Sequence, residues 1–68
     1  MIKIGSTIKL IDSPLGCEVF QNHIGIIEYG KPSSCERDLG MYHVRFVDPV
    51  YSKHVLFAVF GRRLEEVL

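Results

Sequence analysis

Residues 41–47 read Met41-Tyr42-His43-Val44-Arg45-Phe46-Val47. A β-strand sends successive side chains to opposite faces, so Tyr42, Val44 and Phe46 share one side while His43 and Arg45 share the other. This is the clearest two-residue period in the chain, and it predicts a half-buried strand. Asp48-Pro49 then opens a turn through Val50-Tyr51-Ser52-Lys53. The next stretch, His54-Val55-Leu56-Phe57-Ala58-Val59-Phe60, is apolar at every position but the first. In one phase Val55, Phe57 and Val59 point inward and Leu56, Ala58 and Phe60 point out; in the other the roles reverse. Either phase leaves apolar side chains on both faces of a strand.

The same reading extends toward both ends. Gly5-Ser6 opens Thr7-Ile8-Lys9-Leu10-Ile11-Asp12, which alternates and is rich in β-branched residues, a first strand. Ser13-Pro14-Leu15-Gly16 ends it with turn chemistry, and residues 17–21 form a longer excursion in which Val19 and Phe20 are expected to fold back on the core. Asn22 to Tyr29 is the second strand. Its Gly25 suggests a bulge, a bend or a close backbone approach. Gly30 to Gly40 reads as a surface loop, Gly61-Arg62-Arg63 as one tight turn, and Leu64-Glu65-Glu66-Val67 as a short last strand. The expected fold is all-β: a five-stranded SH3-like small barrel with a long first loop and a short turn before the last strand. Residues 1–68 form one domain. An OB-fold needs a helix between its third and fourth strands, and residues 48–53 leave no room for one.

Sixty-eight residues bury a limited core, yet 47% of them are hydrophobic. Eight basic and eight acidic residues cancel, so no global positive field recruits nucleic acid or anionic lipid. Cys17 and Cys35 could make one bridge at most, and two free thiols in a cytoplasmic protein are expected. Met1-Ile2-Lys3-Ile4-Gly5-Ser6 runs into strand-like sequence without a long apolar core, so no secretory signal is expected. No apolar run approaches the ~20 residues of a membrane helix.

Gly5-Ser6-Thr7-Ile8-Lys9-Leu10 followed by Asn22-His23-Ile24-Gly25-Ile26-Ile27 is similar to the opening of many small SH3-like barrels. Tyr42-His43-Val44-Arg45-Phe46 and the closing Leu64-Glu65-Glu66-Val67 resemble a narrower group, the electron-transport accessory proteins. That group includes the ferredoxin-side subunit of photosystem I, the variable chain of ferredoxin–thioredoxin reductase, and the C-terminal domain of the nitrile hydratase beta subunit. In them the barrel docks or packs while the chemistry belongs to a neighbouring chain, so the resemblance implies an accessory role. This chain departs from the pattern in a 30–40 loop longer than the photosynthetic members carry and in lacking the positive surplus that attracts an acidic ferredoxin. Gly25-Ile26-Ile27 also resembles a KOW-type barrel, which implies contact with RNA or protein.

No catalytic constellation emerges. Cys17, His23, Cys35 and His43 lack the two-to-four-residue ligand spacing typical of zinc sites, so no metal is expected. Nothing in the sequence places Cys35 beside His43 as a nucleophile pair, and no phosphate loop or nucleophile elbow is present. The chain is therefore expected to be neither an enzyme nor a cofactor protein. Arg45, Lys53, Arg62 and Arg63 are candidates for nucleic-acid or acidic-partner contact, against the alternative that Glu65 and Glu66 neutralise Arg62 and Arg63. Tyr42 is in phase with the core, whereas Tyr51 lies in a polar turn and is the best candidate for an exposed aromatic contact.

The expected function is a non-catalytic protein-binding or accessory module that docks on a larger subunit or self-associates through an apolar sheet face. Leu56, Phe60, Tyr51, Val47 and Met41 are the expected contact residues, because leaving a Leu and a Phe wet forgoes about 1.5–3 kcal/mol each. A KOW-like nucleic-acid-binding module is the first alternative. A small regulatory inhibitor of a larger enzyme, of the kind viruses encode, is the second.

Overall fold

The computed structural model describes residues 2–51 and 53–67. Five strands form one antiparallel sheet: β1 (Thr7–Leu10), β2 (Ile24–Lys31), β3 (Met41–Phe46), β4 (Val55–Phe60) and β5 (Leu64–Glu66). Their order across the sheet is β4-β3-β2-β1-β5. Among the described residues the remaining regular structure is three 3-10 turns, Glu18–Phe20, Glu36–Asp38 and Gly61–Arg63. The chain is all-β, as expected. Ser52 of the expected 48–53 turn lies outside the described residues.

The strand bounds differ locally from the pattern read in sequence. β1 ends at Leu10, two residues early. β2 begins at Ile24, and Asn22 ahead of it sits at φ 66, a left-handed conformation outside the extended range of a regular strand. It then runs to Lys31, because Gly30 and Lys31 pair with Tyr42 and Met41. Within β3 the expected alternation holds, with Tyr42, Val44 and Phe46 buried. Ile8, Leu10, Ile27, Val59 and Leu64 complete the strand contribution to one core. Gly25 marks a close approach: a Cβ there would lie 2.6 Å from Val44 Cγ1.

The sheet is not closed, since β4 and β5 are its two edges and no ladder joins them. It is nevertheless strongly curled. A flat five-stranded sheet would hold its edges about 19 Å apart at ~4.8 Å per strand gap. The chain passes from Phe60 on one edge to Leu64 on the other through the turn Gly61–Arg63, a reach of only about 8 Å at ~2 Å per residue. That turn also ties the two sides together. The Gly61 N–H donates to Gly40 C=O just before β3, and Ile11 N–H just after β1 donates to Arg63 C=O.

Aromatic side chains close one end of the curled sheet. Phe20 stacks on Phe46 with ring centroids 4.7 Å apart, and Tyr51 meets Phe20 edge-on at 5.1 Å. Val19 does not fold back with Phe20 and is 60% exposed. Neighbours on a 3-10 turn point about 120° apart, so only one of the pair enters the core. Toward the other end, the buried Tyr42 hydroxyl accepts a 2.8 Å hydrogen bond from Ile2 N–H.

Two backbone positions should respond in opposite directions. A Cβ on Gly61 would lie 2.1 Å from Leu39 O, so Gly61→Ala should cost about 1–3 kcal/mol through overpacking. Ala58 sits at φ 57, which costs alanine about 1–2 kcal/mol and glycine far less; after the unfolded-state entropy of glycine, Ala58→Gly should gain about 0.5–1 kcal/mol. Urea titrations of both variants beside the parent chain measure the two shifts.

Candidate functional site

The apolar stretch on β4 keeps neither phase throughout. Arg45 pairs with Val55 and Val44 with Leu56, but Tyr42 pairs with Val59, so Phe57 and Ala58 together oppose the single residue His43. Two residues against one is a bulge, and the left-handed Ala58 is where the strand takes its extra step. Leu56 packs on the core ahead of the bulge and Val59 is buried beyond it. Phe57 between them is thrown outward, 70% exposed.

A second bulge flanks the same histidine from the other side. Val44 pairs with Ile27 and His43 with Tyr29, leaving Glu28 as the extra residue of β2. The outer face of the three strands therefore has a central row of Tyr29, His43 and Phe57. Their rings touch in sequence: Tyr29–His43 centroids are 5.1 Å apart and His43–Phe57 centroids 4.8 Å, the latter edge to face. Tyr29 is 48% exposed and His43 half-buried between its neighbours. Tilted packing of Tyr29 on His43 and edge-to-face packing of His43 on Phe57 hold the rings without hiding the row from solvent.

Rows on either side continue the surface. One contains the registered trio Ile26, Arg45 and Val55, and the other Lys31, Met41 and Phe60. Ile26, Val55, Met41 and Phe60 are all half-buried. Arg62 lies 5.5 Å from the Phe60 ring centroid, a cation over a π-face. Val47 continues the β3 alternation past the strand end and is exposed; its N–H donates to Ile24 C=O.

Of the five contact residues read from sequence, Met41, Phe60 and Val47 belong to this face. Leu56 points the other way, onto the core, one residue out of phase with the exposed Phe57. Tyr51 is half-buried in a separate aromatic nest, 5.2 Å from His23 and 6.0 Å from His54 by ring centroids. There it pins the β3–β4 connection. Sequence reading missed Tyr29, His43 and Phe57 as a unit. Their common face depends on two bulges, for which the only signal was the all-apolar run itself.

The four candidate cations do not converge. Arg45 pairs with Glu28, Arg62 with Asp38 at 3.3 Å, and Arg63 with Asp12 at 3.1 Å, while Lys53 lies in the exposed β3–β4 connection. The expected neutralisation of Arg62 and Arg63 by Glu65 and Glu66 gives way to carboxylates distant in sequence, because the turn at 61–63 faces the 32–40 loop on one side and the end of β1 on the other. Cys17 is half-buried, Cys35 is exposed, and neither is in a disulfide. Among the described residues, no group of three or more His, Cys, Asp or Glu side chains is placed to hold a metal, and no helix is long and apolar enough to cross a membrane. Comparison with protein-family models, with characterised proteins and with solved structures gives no match.

An outward side chain of β4 and a sealed core side chain of β1 should differ sharply on truncation. Phe57→Ala should change folding stability by no more than about 0.5 kcal/mol, as for a surface substitution. Leu10→Ala, in the sealed core, should cost about 2–5 kcal/mol. Chemical denaturation of the two variants distinguishes an outward Phe57 from a core one.

Proposed function

We propose that this chain is an SH3-like barrel serving as a non-catalytic protein-binding module, docking through the outer face of β2, β3 and β4 on a larger subunit or on another copy of itself. The carrying observation is the exposed aromatic row Tyr29–His43–Phe57, framed by Met41, Phe60, Val55 and Ile26. Contiguous apolar surface of this kind is a feature of association sites, and aromatic residues dominate the energetics of such sites. The SH3-like assignment is supported by the strand order, by the pairing of the last strand with the first, and by the 3-10 turn leading into it. Two unbonded cysteines fit a reducing compartment such as the cytoplasm. A KOW-like nucleic-acid role has less support, since Arg45, Arg62 and Arg63 each face a carboxylate.

The test is association measured with a matched pair of variants. Phe57→Asp puts a charge in the middle of the row; Val50→Asp puts one on an exposed apolar residue elsewhere. Sedimentation equilibrium reads self-association, and affinity capture with each chain as bait reads a larger partner. Phe57→Asp should weaken whichever association occurs at least ~30-fold, the scale of a hot-spot aromatic, while Val50→Asp leaves it intact. A parent chain that stays monomeric and captures the same species as its Phe57→Asp variant overturns the proposal.

A further inference from the structure

Away from the docking face, the 32–40 loop, the segment before β1, the turn at Gly61 and strand β5 enclose an open cleft of about 550 Å³. Ile2, Pro32, Leu39 and Leu64 give it an apolar lining, and Glu36 and Glu66 add two carboxylates. None of these residues belongs to the outer-face rows. The lining is held in place by backbone: Ile2 is tethered to the Tyr42 hydroxyl, and Gly61 N–H to Gly40 C=O.

Among the described residues four of the eight acids, Glu18, Glu36, Glu65 and Glu66, have no ion-pair partner, and of these only Glu36 and Glu66 line the cleft. Asp12, Glu28, Asp38 and Asp48 each have a cationic or histidine partner. Glu36 and Glu66 have no ion-pair partner among the described residues, although Arg37 is next to one in sequence and Arg62 lies near enough to reach Asp38. Negative charge beside apolar surface, with no cation among the described residues paired to it, selects a ligand of definite chemistry. An anionic ligand is repelled. A neutral apolar one would strip water from two carboxylates and return nothing. A cation carrying apolar surface satisfies both parts, and a guanidinium does so with paired hydrogen bonds. The volume falls in the range that holds a small ligand or a few peptide residues, not a folded domain.

We infer that the cleft binds a short extended peptide segment in which an apolar side chain is flanked by arginine or lysine. The apolar side chain would rest on Ile2 and Leu64, with the flanking cations directed to Glu36 and Glu66. This goes beyond the docking-face reading and does not depend on it.

The test is an amide-proton NMR titration of the ¹⁵N-labelled chain with three blocked tripeptides: acetyl-Arg-Leu-Arg-amide, acetyl-Gln-Leu-Gln-amide and acetyl-Glu-Leu-Glu-amide. The basic peptide should give saturable shifts centred on Ser33, Glu36, Leu39, Gly61 and Glu66. The other two should bind at least about tenfold more weakly, in keeping with the loss of a charge-assisted hydrogen bond. Glu36→Gln and Glu66→Gln, both exposed and nearly isosteric, should each weaken the basic peptide several-fold and together remove its preference over the glutamine peptide, with the remaining spectrum unchanged. Phe57→Asp should leave this binding intact, so the cleft and the docking face fail or stand separately. Equal binding of all three peptides, shifts centred on Tyr29, His43 and Phe57, or no shift with peptide at about 10 mM each overturns the inference.

Discussion

His43 is flanked by a bulge on each side, and the shape of the whole sheet depends on that arrangement. Glu28 is extra on β2, Phe57 and Ala58 share one position on β4, and β3 runs straight between them. An extra residue on one strand lengthens it relative to its partner, which bends the pair and increases its twist. Two such insertions at one level bend both neighbours about the same point. The sheet then curls enough for a three-residue turn to connect its opposite edges. Without that curl the inner faces of β1, β3 and β4 could not converge on one core.

The curl also decides what lies inside and what lies outside. A strand that kept a single phase from Val55 to Phe60 would bury either Leu56 and its alternates or Phe57 and its alternates. The bulge changes phase midway, so Leu56 and Val59 both reach the core while Phe57 is expelled. The inner side gains a continuous lining in this way, and the outer side gains an aromatic ring beside His43. Ala58 sustains the change at φ 57. An alanine held in a left-handed conformation is strained, and such strain persists only where surrounding contacts over-determine it. Here the contacts are the burial of Val59 beyond the bulge and of Val44 and Tyr42 opposite.

Most of the fold was legible because its periodic signals are local. Residues 41–47 sort their side chains in sequence as they do in space, and Gly61-Arg62-Arg63 announces its turn. The docking face was less legible for a physical reason. Bulges are commonly marked by glycine, and neither Glu28 nor Ala58 carries that mark, so the all-apolar stretch offered two phases and concealed the switch between them. The resulting error at Leu56 and Phe57 is a single residue, which in a strand is the difference between core and solvent. The ion pairs were hidden differently. Arg62 and Arg63 are adjacent to Glu65 and Glu66 in sequence, but partner choice follows the elements against which the turn packs.

A small domain that turns Phe57 outward gives up burial it could use, so the arrangement needs a compensating physical logic. Part of that logic lies within the row itself. Tyr29 and Phe57 each rest against His43, recovering some contact and restricting one another. Aromatic side chains have only two rotatable angles, and rings already held by neighbours lose little further freedom when a partner covers them. A face composed this way is ordered before it binds. The same bulges that curl the sheet around its core also supply the row and fix its spacing, so the interior and the proposed docking surface are set by one backbone feature and cannot be altered independently.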